Sequence, residues 1–272
     1  MTAIAVTIAG SDSSGGAGIQ ADLKTYGALG VYGASVITAL TAQNTRGVTA
    51  IHDVPADFIA AQLDAVFTDL DIGAVKIGML SKVAAIEAVA AGLMRHDAKK
   101  STKNIVLDPV MVATSGDRLL AVEAIAALRR ALIPRALVVT PNLHEAAALT
   151  DLPLARNEAE MEAQARQILS LRPRAVLIKG GHGDGAESVD LLVSATEVIR
   201  LAAPRINTRN THGTGCTLSS AIAAGLAKGL DLVAAARAAK VYVTAAIAAA
   251  DKIKVGHGHG PLNHFYQFWS SL

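Results

Sequence analysis

The chain alternates short apolar runs with longer helix-like stretches, and this alternation limits its fold more than any other feature. The apolar runs of β type are Ala3–Ala9, Ala74–Met79, Asn104–Val110, Ala136–Thr140 and Ala175–Lys179. The helix-like stretches are Ala17–Leu29, Ala56–Leu70, Lys82–His96, Leu119–Leu132 and Glu158–Leu171. Near-continuous apolar strands separated by helices are typical of parallel sheets covered on both faces. We therefore predict an α/β fold with a central, mostly parallel sheet flanked by helices on both faces.

The chain has no feature that would divide it into separate domains. Its 272 residues would fill one large α/β domain or two small ones, but they contain no linker, low-complexity tract or internal repeat. We predict a single domain over residues 1–272. The Ala-rich run from Leu232 to Ala250 is interrupted by Arg237 and Lys240, which predicts a packed helix and not a membrane span.

Charge and cysteine content narrow the class of partner. The net charge is +2 and no block of like charges occurs, which argues against binding to nucleic acid or to an anionic membrane. The single cysteine cannot form an internal disulfide, which suits the cytosol. The first eight residues have no basic region and run into a glycine loop, unlike a signal peptide. We expect a cytoplasmic enzyme with small-molecule substrates.

Polar residues cluster where the predicted strands end. Open parallel sheets bind ligands beyond the carboxyl ends of their strands, so these clusters mark the expected site. They are Gly10-Ser11-Asp12, Lys76 to Met79, Asp108-Pro109, Thr140-Pro141-Asn142 and Lys179-Gly180-Gly181.

Two common nucleotide-binding motifs fail. The segment from Gly16 to Ala21 matches the dinucleotide pattern G-x-G-x-x-G/A, but that pattern needs an acidic residue about 20 positions later. The stretch from Leu23 to His52 contains no Asp or Glu. The P-loop pattern also fails, because the chain has no Gly-Lys dipeptide. A nucleotide would have to be bound by a site that uses neither motif.

The segment from Asn210 to Thr217, NTHGTGCT, is a glycine-rich turn that leads into a helix. A helix start carries free N–H groups and partial positive charge, so it favours an anion, and Gly213 and Gly215 allow close backbone approach. A thiol at that point, here Cys216, tends toward the thiolate and can accept a proton. The segment is either a phosphate site with a proton acceptor or a glycine-capped helix with a small buried cysteine.

Other charged residues suit phosphoryl transfer, which needs charge neutralisation and alignment. Lys179, followed by two glycines, can reach a phosphate, although it could equally be a lysine whose charged end simply reaches solvent. Asp108 and Glu145 are candidate magnesium ligands, since Mg²⁺ needs only one or two carboxylates beside substrate phosphates. Alternatively, Asn142 simply caps the helix that holds Glu145, and Asp108 is a turn residue before Pro109.

The acceptor half of the site is predicted in the first part of the chain. The loop from Gly10 to Asp22 supplies flexible backbone, hydroxyls and carboxylates. The amide of Gln43 can pair with a heteroaromatic ring, and Met79 could lie against a ring face or simply pack in the core. Because only 3% of residues are aromatic, these groups suit a small polar heterocycle better than a large apolar ligand.

Many segments, in order, resemble those of one enzyme family. They are AGSDSSGGAGIQADLKT, ITALTAQNT, KIGML, VLDPVMVATSGDRLL, TPNLHEA, VLIKGGH, NTHGTGCTLSSAIAAGLAKG and VGHGHGPLNHF. Together they resemble the bacterial hydroxymethylpyrimidine/phosphomethylpyrimidine kinases of thiamine biosynthesis, which belong to the ribokinase-like superfamily. The resemblance extends from the first strand to about Phe265. It implies a ribokinase-like fold, ATP and Mg²⁺, a homodimer, and two successive phosphorylations of 4-amino-5-hydroxymethyl-2-methylpyrimidine.

The resemblance also implies roles for individual residues. Gln43 would pair with the pyrimidine edge, Met79 would pack on its ring and Asp22 would lie near the hydroxymethyl arm. Lys179 would contact the transferring phosphate, and Asp108 and Glu145 would serve the metal. The remaining implied substrate-binding residues are Gly10 and Val110, and the anion hole would comprise Thr211, Gly213, Thr214 and Gly215 beside the catalytic Cys216.

Four residues depart from or qualify that pattern. The superfamily usually has an aspartate, taken as the general base, where this chain has Cys216; cysteine is typical of the pyrimidine-kinase branch and of certain pyridoxal kinases. Many relatives have lysine where this chain has Thr114, so one phosphate contact would be lost. His257 and His259 could suggest a metal site, but the resemblance implies an ordinary glycine-rich turn.

Two other functions remain open from the sequence. A pyridoxal kinase would act on a similar small hydroxymethyl heteroaromatic, and only the second phosphoryl transfer would separate the two enzymes. A non-catalytic pyrimidine-binding protein of the same fold would be expected to lose Lys179, Cys216 or Glu145, and all three are present.

Overall fold

Nine strands form one sheet in the computed structural model, which describes residues 1–96, 104–111, 122–181 and 185–269. In chain order they are β1 (Ile4–Asp12), β2 (Tyr32–Asn44), β3 (Gly47–Asp53), β4 (Ala74–Ile77), β5 (Ile105–Leu107), β6 (Val138–Val139), β7 (Ala175–Lys179), β8 (Glu187–Ser194) and β9 (Val198–Pro204). Their spatial order is β3-β2-β1-β4-β5-β6-β7-β8-β9. Six neighbouring strands pair in parallel, in the spatial order β2-β1-β4-β5-β6-β7. Strands β3, β8 and β9 are added to the two edges in antiparallel pairs.

Helices cover both faces of this sheet. They are α1 (Gly18–Ala28), α2 (Ala56–Asp69), α3 (Val83–Arg95), α4 (Val122–Ala131), α5 (Leu143–Thr150), α6 (Glu158–Leu169), α7 (Thr214–Ala227) and α8 (Leu232–Ala248). Because side chains alternate along a strand, Val6 joins a core with α2 to α6, whereas the adjacent Ala5 joins a second core with α1, α7 and α8. The predicted fold class is therefore confirmed.

The predicted elements agree with the observed ones to within a few residues at most ends. Strand β7 has the predicted bounds, and α2 ends one residue earlier than predicted. The first residues of the predicted helix Leu119–Leu132 lie outside the described residues. Strands β2, β3, β8 and β9 were not among the predicted strands.

The Ala-rich run forms helix α8 and a short 3-10 turn. Leu232–Lys252 is the one segment among the described residues that is long and apolar enough, by length and composition, to cross a membrane. Its buried residues, Tyr242 and Val243 among them, pack in the core that α8 shares with α7. The predicted packed helix is what the structure contains.

Candidate active site

A cavity of about 620 Å³ opens at the carboxyl ends of the parallel strands. This is the edge at which the sequence predicts a ligand site. All but one of the predicted site residues line it: Gly10, Gln43, Met79, Asp108, Val110, Glu145, Lys179, Thr211, Gly213, Thr214, Gly215 and Cys216. The exception is Asp22.

Lys179 stands between two buried carboxylates. Its Nζ lies 2.7 Å from Asp108 Oδ1 and 3.8 Å from Glu145 Oε2. Asp108, which follows β5, also accepts hydrogen bonds from the hydroxyls of Thr140 at 3.1 Å and Ser219 at 3.4 Å. The side chains of Asp108 and Lys179 are only 2% and 12% exposed, so Lys179 is not a lysine that reaches bulk solvent.

Lys179 and Glu145 shift each other's pKa. Burial raises the pKa of Glu145 to about 7, since the lowering effect of Lys179 is partly cancelled by Asp108. Burial alone would lower the pKa of Lys179, but Asp108 and Glu145 raise it above its usual value. Lys179 is therefore a cation at neutral pH, while Glu145 can gain or lose a proton there.

Glu145 is held by the cap of its own helix. The Asn142 side chain accepts the N–H of Glu145 at 2.9 Å, and Glu145 Oε2 accepts the N–H of Asn142 at 2.7 Å. This capping box satisfies two N–H groups that the helix start leaves free. The capping alternative is correct for Asn142, and the same contacts aim the Glu145 carboxylate at Lys179.

Helix α7 begins beside Lys179. Its N-cap, Gly213, has φ 82°, a left-handed conformation that favours glycine. A Cβ on Gly215 would lie 3.2 Å from Lys179 Nζ, so the lysine ammonium sits directly against the first turn. The amides of Gly215 and Cys216 have no intrahelical acceptor, being among the first four of the helix. An anion at this point would meet both the ammonium and the helix start.

Cys216, the third residue of α7, does not have the acidic thiol that the sequence suggests. The residue borders the cavity, yet burial raises the pKa of its thiol to about 11. Lys76 opposes this rise, while Asp22 and Asp108 add to it. The expected tendency toward the thiolate is outweighed, and the resting thiol is protonated at neutral pH.

Asp22 lies below the cavity and not on its wall. Its carboxylate binds Lys76 Nζ at 2.8 Å and accepts the hydroxyls of Thr7 and Ser220, each at 2.6 Å. Asp22 and Lys76 are both fully buried. Lys76 borders the cavity and Asp22 does not, so the expectation that Asp22 lies near the hydroxymethyl arm stays a prediction. A charged residue within the apolar run AVKIGM is the sequence signal for Lys76.

A second chain of contacts holds Gln43. The Gln43 Oε1 accepts the Thr41 hydroxyl at 3.0 Å, which turns Nε2 toward His212 Nε2 at 3.5 Å. His212 Nε2 also lies 2.8 Å from Asp12 Oδ2, and this contact helps to lower the pKa of Asp12 to about 2, against the opposing effect of burial. His212 borders the cavity but was not singled out from the sequence; its place between Thr211 and Gly213 was the available signal.

One arm of the cavity extends along helix α8. Lys240, Val243, Thr244 and Ile247 share one face of that helix and line the arm together with Pro204, Arg205 and Ile206. Lys240 Nζ binds Asp190 Oδ2 at 2.7 Å. This arm could not be predicted from the sequence, because its residues carry no motif and come together only through the packing of α8 on β8 and β9.

No ready-made metal cage is present among the described residues. Within them, no three or more His, Cys, Asp or Glu side chains are grouped as ligands. The backbone amides of His257 and His259 bind Thr45, so this glycine-rich segment packs against the end of β2. Thr114 lies outside the described residues.

Comparisons of sequence and of structure with known proteins identify the same family. The family model described as phosphomethylpyrimidine kinase matches residues 12–263. The chain is 61% identical over 269 residues to hydroxymethylpyrimidine/phosphomethylpyrimidine kinase of Rhizobium meliloti, covering 99% of both chains. The structure of phosphomethylpyrimidine kinase from Clostridium difficile matches with TM-score 0.79 and 45% identity, over 90% of this chain and 99% of that one. An ADP complex of Bacillus subtilis pyridoxal kinase matches with TM-score 0.87 and 37% identity, over 97% and 98%.

Proposed function

The chain belongs to the phosphomethylpyrimidine kinase family. We propose that the protein uses ATP to phosphorylate 4-amino-5-hydroxymethyl-2-methylpyrimidine in this cavity, first to the monophosphate and then to the diphosphate. The match covers nearly the whole chain and nearly the whole of the Rhizobium meliloti relative. We also propose that residues 1–272 form one kinase domain, which should unfold in a single cooperative transition.

The observation that carries the proposal is the convergence of Lys179 with the start of α7. The ammonium stands 3.2 Å from the position of a Cβ on Gly215, where helix amides are free. Phosphoryl transfer spreads charge over the equatorial oxygens of the moving group, and fixed donors at that point stabilise it. Lys179 and the amides of Gly215 and Cys216 would bind this group, with Gly213 and Thr214 shaping the turn beside Thr211.

The acceptor would lie on the β1 and β2 side of the cavity. Gln43, already turned by Thr41 and facing His212, offers an amide edge to the aminopyrimidine ring. Met79 borders the cavity with only 8% of its surface exposed, and it would pack on the ring face. Gly10 and Val110 would complete the wall, while Asp22 would act through Lys76.

Asp108 and Glu145 would hold Mg²⁺. The donor set fits this ion, because Mg²⁺ keeps several waters and takes one or two carboxylates together with substrate phosphates. Both carboxylates already converge on Lys179 within 4 Å, so negative charge is concentrated where the phosphates would arrive. When bound, the ion would neutralise charge on the phosphates. Glu145 must lose its proton to bind the ion, which makes this step sensitive to pH near 7.

Cys216 would serve the two transfers differently. The alcohol nucleophile of the first transfer benefits from a base as its proton leaves. The phosphate monoester that attacks in the second transfer has a second pKa of about 6 and is already mostly anionic. Because a pKa of about 11 leaves the resting thiol protonated, Cys216 would act as the base only from its thiolate form, which Lys76 favours. The thiolate would take the hydroxyl proton as the alcohol oxygen attacks the γ-phosphorus.

The arm along α8 would receive the base of the nucleotide. Val243, Ile247 and Ile206 give it apolar walls, and Lys179 lines the same cavity. ATP bound with its base in the arm would extend its phosphates toward α7. The structural likeness to an ADP complex supports a nucleotide in this fold.

A pyridoxal kinase is the second candidate, favoured by the likeness to Bacillus subtilis pyridoxal kinase over 97% of this chain. One experiment separates the two. The purified protein is incubated with ATP, Mg²⁺ and either heterocycle, and the products are identified by mass. We expect both a monophosphate and a diphosphate of the pyrimidine. Phosphorylation of pyridoxal alone would refute the proposal, and no product from either would favour a non-catalytic binding protein.

We also propose a cytoplasmic homodimer. The ribbon of β2 and β3 exposes apolar side chains at one edge of the sheet: Tyr32 is 58%, Leu40 47% and Ile51 38% exposed. Such an edge favours pairing with a second copy. Light scattering on the purified protein should give twice the mass of one chain.

A further inference from the structure

An ion pair on the cavity wall links helix α8 to the residue that follows Lys179. Lys240 Nζ lies 2.7 Å from Asp190 Oδ2, and the two side chains are only 11% and 5% exposed. The other oxygen, Asp190 Oδ1, accepts the backbone N–H of Gly180 at 3.0 Å. One carboxylate therefore joins α8, β8 and the residue directly after Lys179.

The turn at Gly180 has little freedom. A Cβ on Gly180 would overlap the carbonyl oxygen of Val189, so strand β8 presses directly against the turn. On the other side, Arg205 Nη1 donates to the carbonyl of Gly181 at 2.6 Å. Within the described residues, Asp190 is the acceptor of the Gly180 N–H in this packed region. Removing the acceptor would leave a buried donor without a partner, which favours movement of the turn.

Lys240 fixes the carboxylate and connects it with the nucleotide arm. It shares a face of α8 with Val243, Thr244 and Ile247, which line that arm. Lys240 also donates to the Ser188 hydroxyl at 3.3 Å. A shift of Asp190 would therefore change the position of Lys179 relative to the wall that receives the nucleotide base.

We propose that Asp190 is a positioning residue for phosphoryl transfer: held by Lys240, it accepts the Gly180 N–H and so keeps Lys179 at the start of α7. This inference rests on the proposed kinase function. Displacements of about 1 Å away from the reacting atoms can lower turnover by about 10²-fold, because catalysis depends on alignment. The pair acts on the lysine, and contact with substrate is not required.

Two double variants separate the hydrogen bond from the charges. Asp190→Asn/Lys240→Met removes both charges but keeps an acceptor for Gly180, whereas Asp190→Leu/Lys240→Met removes the acceptor with a side chain of similar shape. Asp190→Ala/Lys240→Met is a second variant without the acceptor, should leucine prevent folding. For each we would measure thermal unfolding, kcat, the KM values for pyrimidine and ATP, and the hydrogen-exchange rate of the Gly180 amide by NMR.

Because Lys240 lines the nucleotide arm and is replaced in all of these variants, the Asn variant is the reference with which kcat is compared. The variants without an acceptor should lose about 10- to 100-fold in kcat with an unchanged pyrimidine KM, and their Gly180 amide should exchange faster. Equal kcat and equal Gly180 exchange in the Asn and Leu or Ala variants would overturn the inference. If the wild type phosphorylates nothing, the kinase proposal fails, while the exchange comparison still decides whether Asp190 holds the turn.

Discussion

Removing the ammonium of Lys76 should destabilise the protein strongly, because it leaves the Asp22 carboxylate buried without its counter-charge. Both side chains are fully buried, and their charged atoms are 2.8 Å apart. Breaking such a pair by deleting one partner typically costs about 3–5 kcal/mol. For a domain of this size, each kcal/mol lowers Tm by about 2–4 °C, so Lys76→Met should melt about 6–20 °C below the wild type.

A double variant tests whether the charge is the cause. Asp22→Asn/Lys76→Met removes both charges. The hydroxyls of Thr7 and Ser220 bind different oxygens of Asp22, so the Asn oxygen can accept one hydroxyl while the Asn NH2 donates to the oxygen of the other. We expect it to recover at least half of the lost stability, because replacing a whole buried pair is often near neutral. The assay is urea unfolding of the wild type, both single variants and the double variant, which gives the coupling energy.

A surface lysine provides the matched control. Lys82 Nζ lies 2.6 Å from Asp53, but the Lys82 side chain is 67% exposed. Lys82→Met should therefore change stability by less than about 1 kcal/mol. The reasoning from burial would be refuted if Lys76→Met proved no more destabilising than Lys82→Met. It would also be refuted if the double variant lost more free energy of unfolding than the two single variants together.

Four further predictions concern the cavity itself. Gln43→Ala should weaken apparent pyrimidine affinity by about 1–3 kcal/mol and ATP affinity far less, whereas Gln62→Ala, away from the cavity, should change neither; equal losses for both ligands would mean general damage. Lys179→Ala should lower kcat by about 10²- to 10³-fold with pyrimidine affinity near normal, and turnover within about twofold of the wild type would exclude a role in transfer. Cys216→Ala should slow phosphorylation of the alcohol much more than that of the monophosphate; a loss of the same size in both, measured at saturating ATP, would mean that the residue only shapes the anion hole. Burial raises the pKa of Glu145 from its ordinary 4.5 to about 7, so between these values the folded state holds a proton that the unfolded chain has released, and stability contributed by this group falls as pH rises. Between pH 5 and pH 8, the free energy of unfolding measured with urea should therefore fall less steeply with pH for Glu145→Gln, which keeps a capping side chain. The same dependence on pH as in the wild type would contradict the assignment.

The strands that are buried on both faces could be predicted from the sequence, and the edge strands could not. All three residues of β5, Ile105–Leu107, are buried and apolar, so its run is easily recognised. Strand β9 lies at an edge, most of its residues are at least partly exposed, and it contains Arg200. Its pattern is too polar to stand out, and it follows β8 without the helix that the alternation led us to expect.

The site was predictable where one strand end supplies one functional residue. Lys179 closes β7 and Asp108 follows β5, so their sequence positions place them at the same edge of the sheet. The contact of Lys76 with Asp22 was not predictable, because it depends on how α1 packs across β1 and β4, which are far apart in the chain. The thiol pKa of Cys216 could not be predicted either, since burial is known only after folding.

The central claim is that one cavity performs both phosphoryl transfers. Its most direct test is the initial rate of diphosphate formation from purified monophosphate, measured by mass at several fixed concentrations of hydroxymethylpyrimidine and saturating ATP. Because both acceptors would occupy the Gln43 and Met79 side of the cavity, we predict competitive inhibition with a constant equal to the KM for hydroxymethylpyrimidine. Non-competitive inhibition, or no conversion of the monophosphate, would contradict the account.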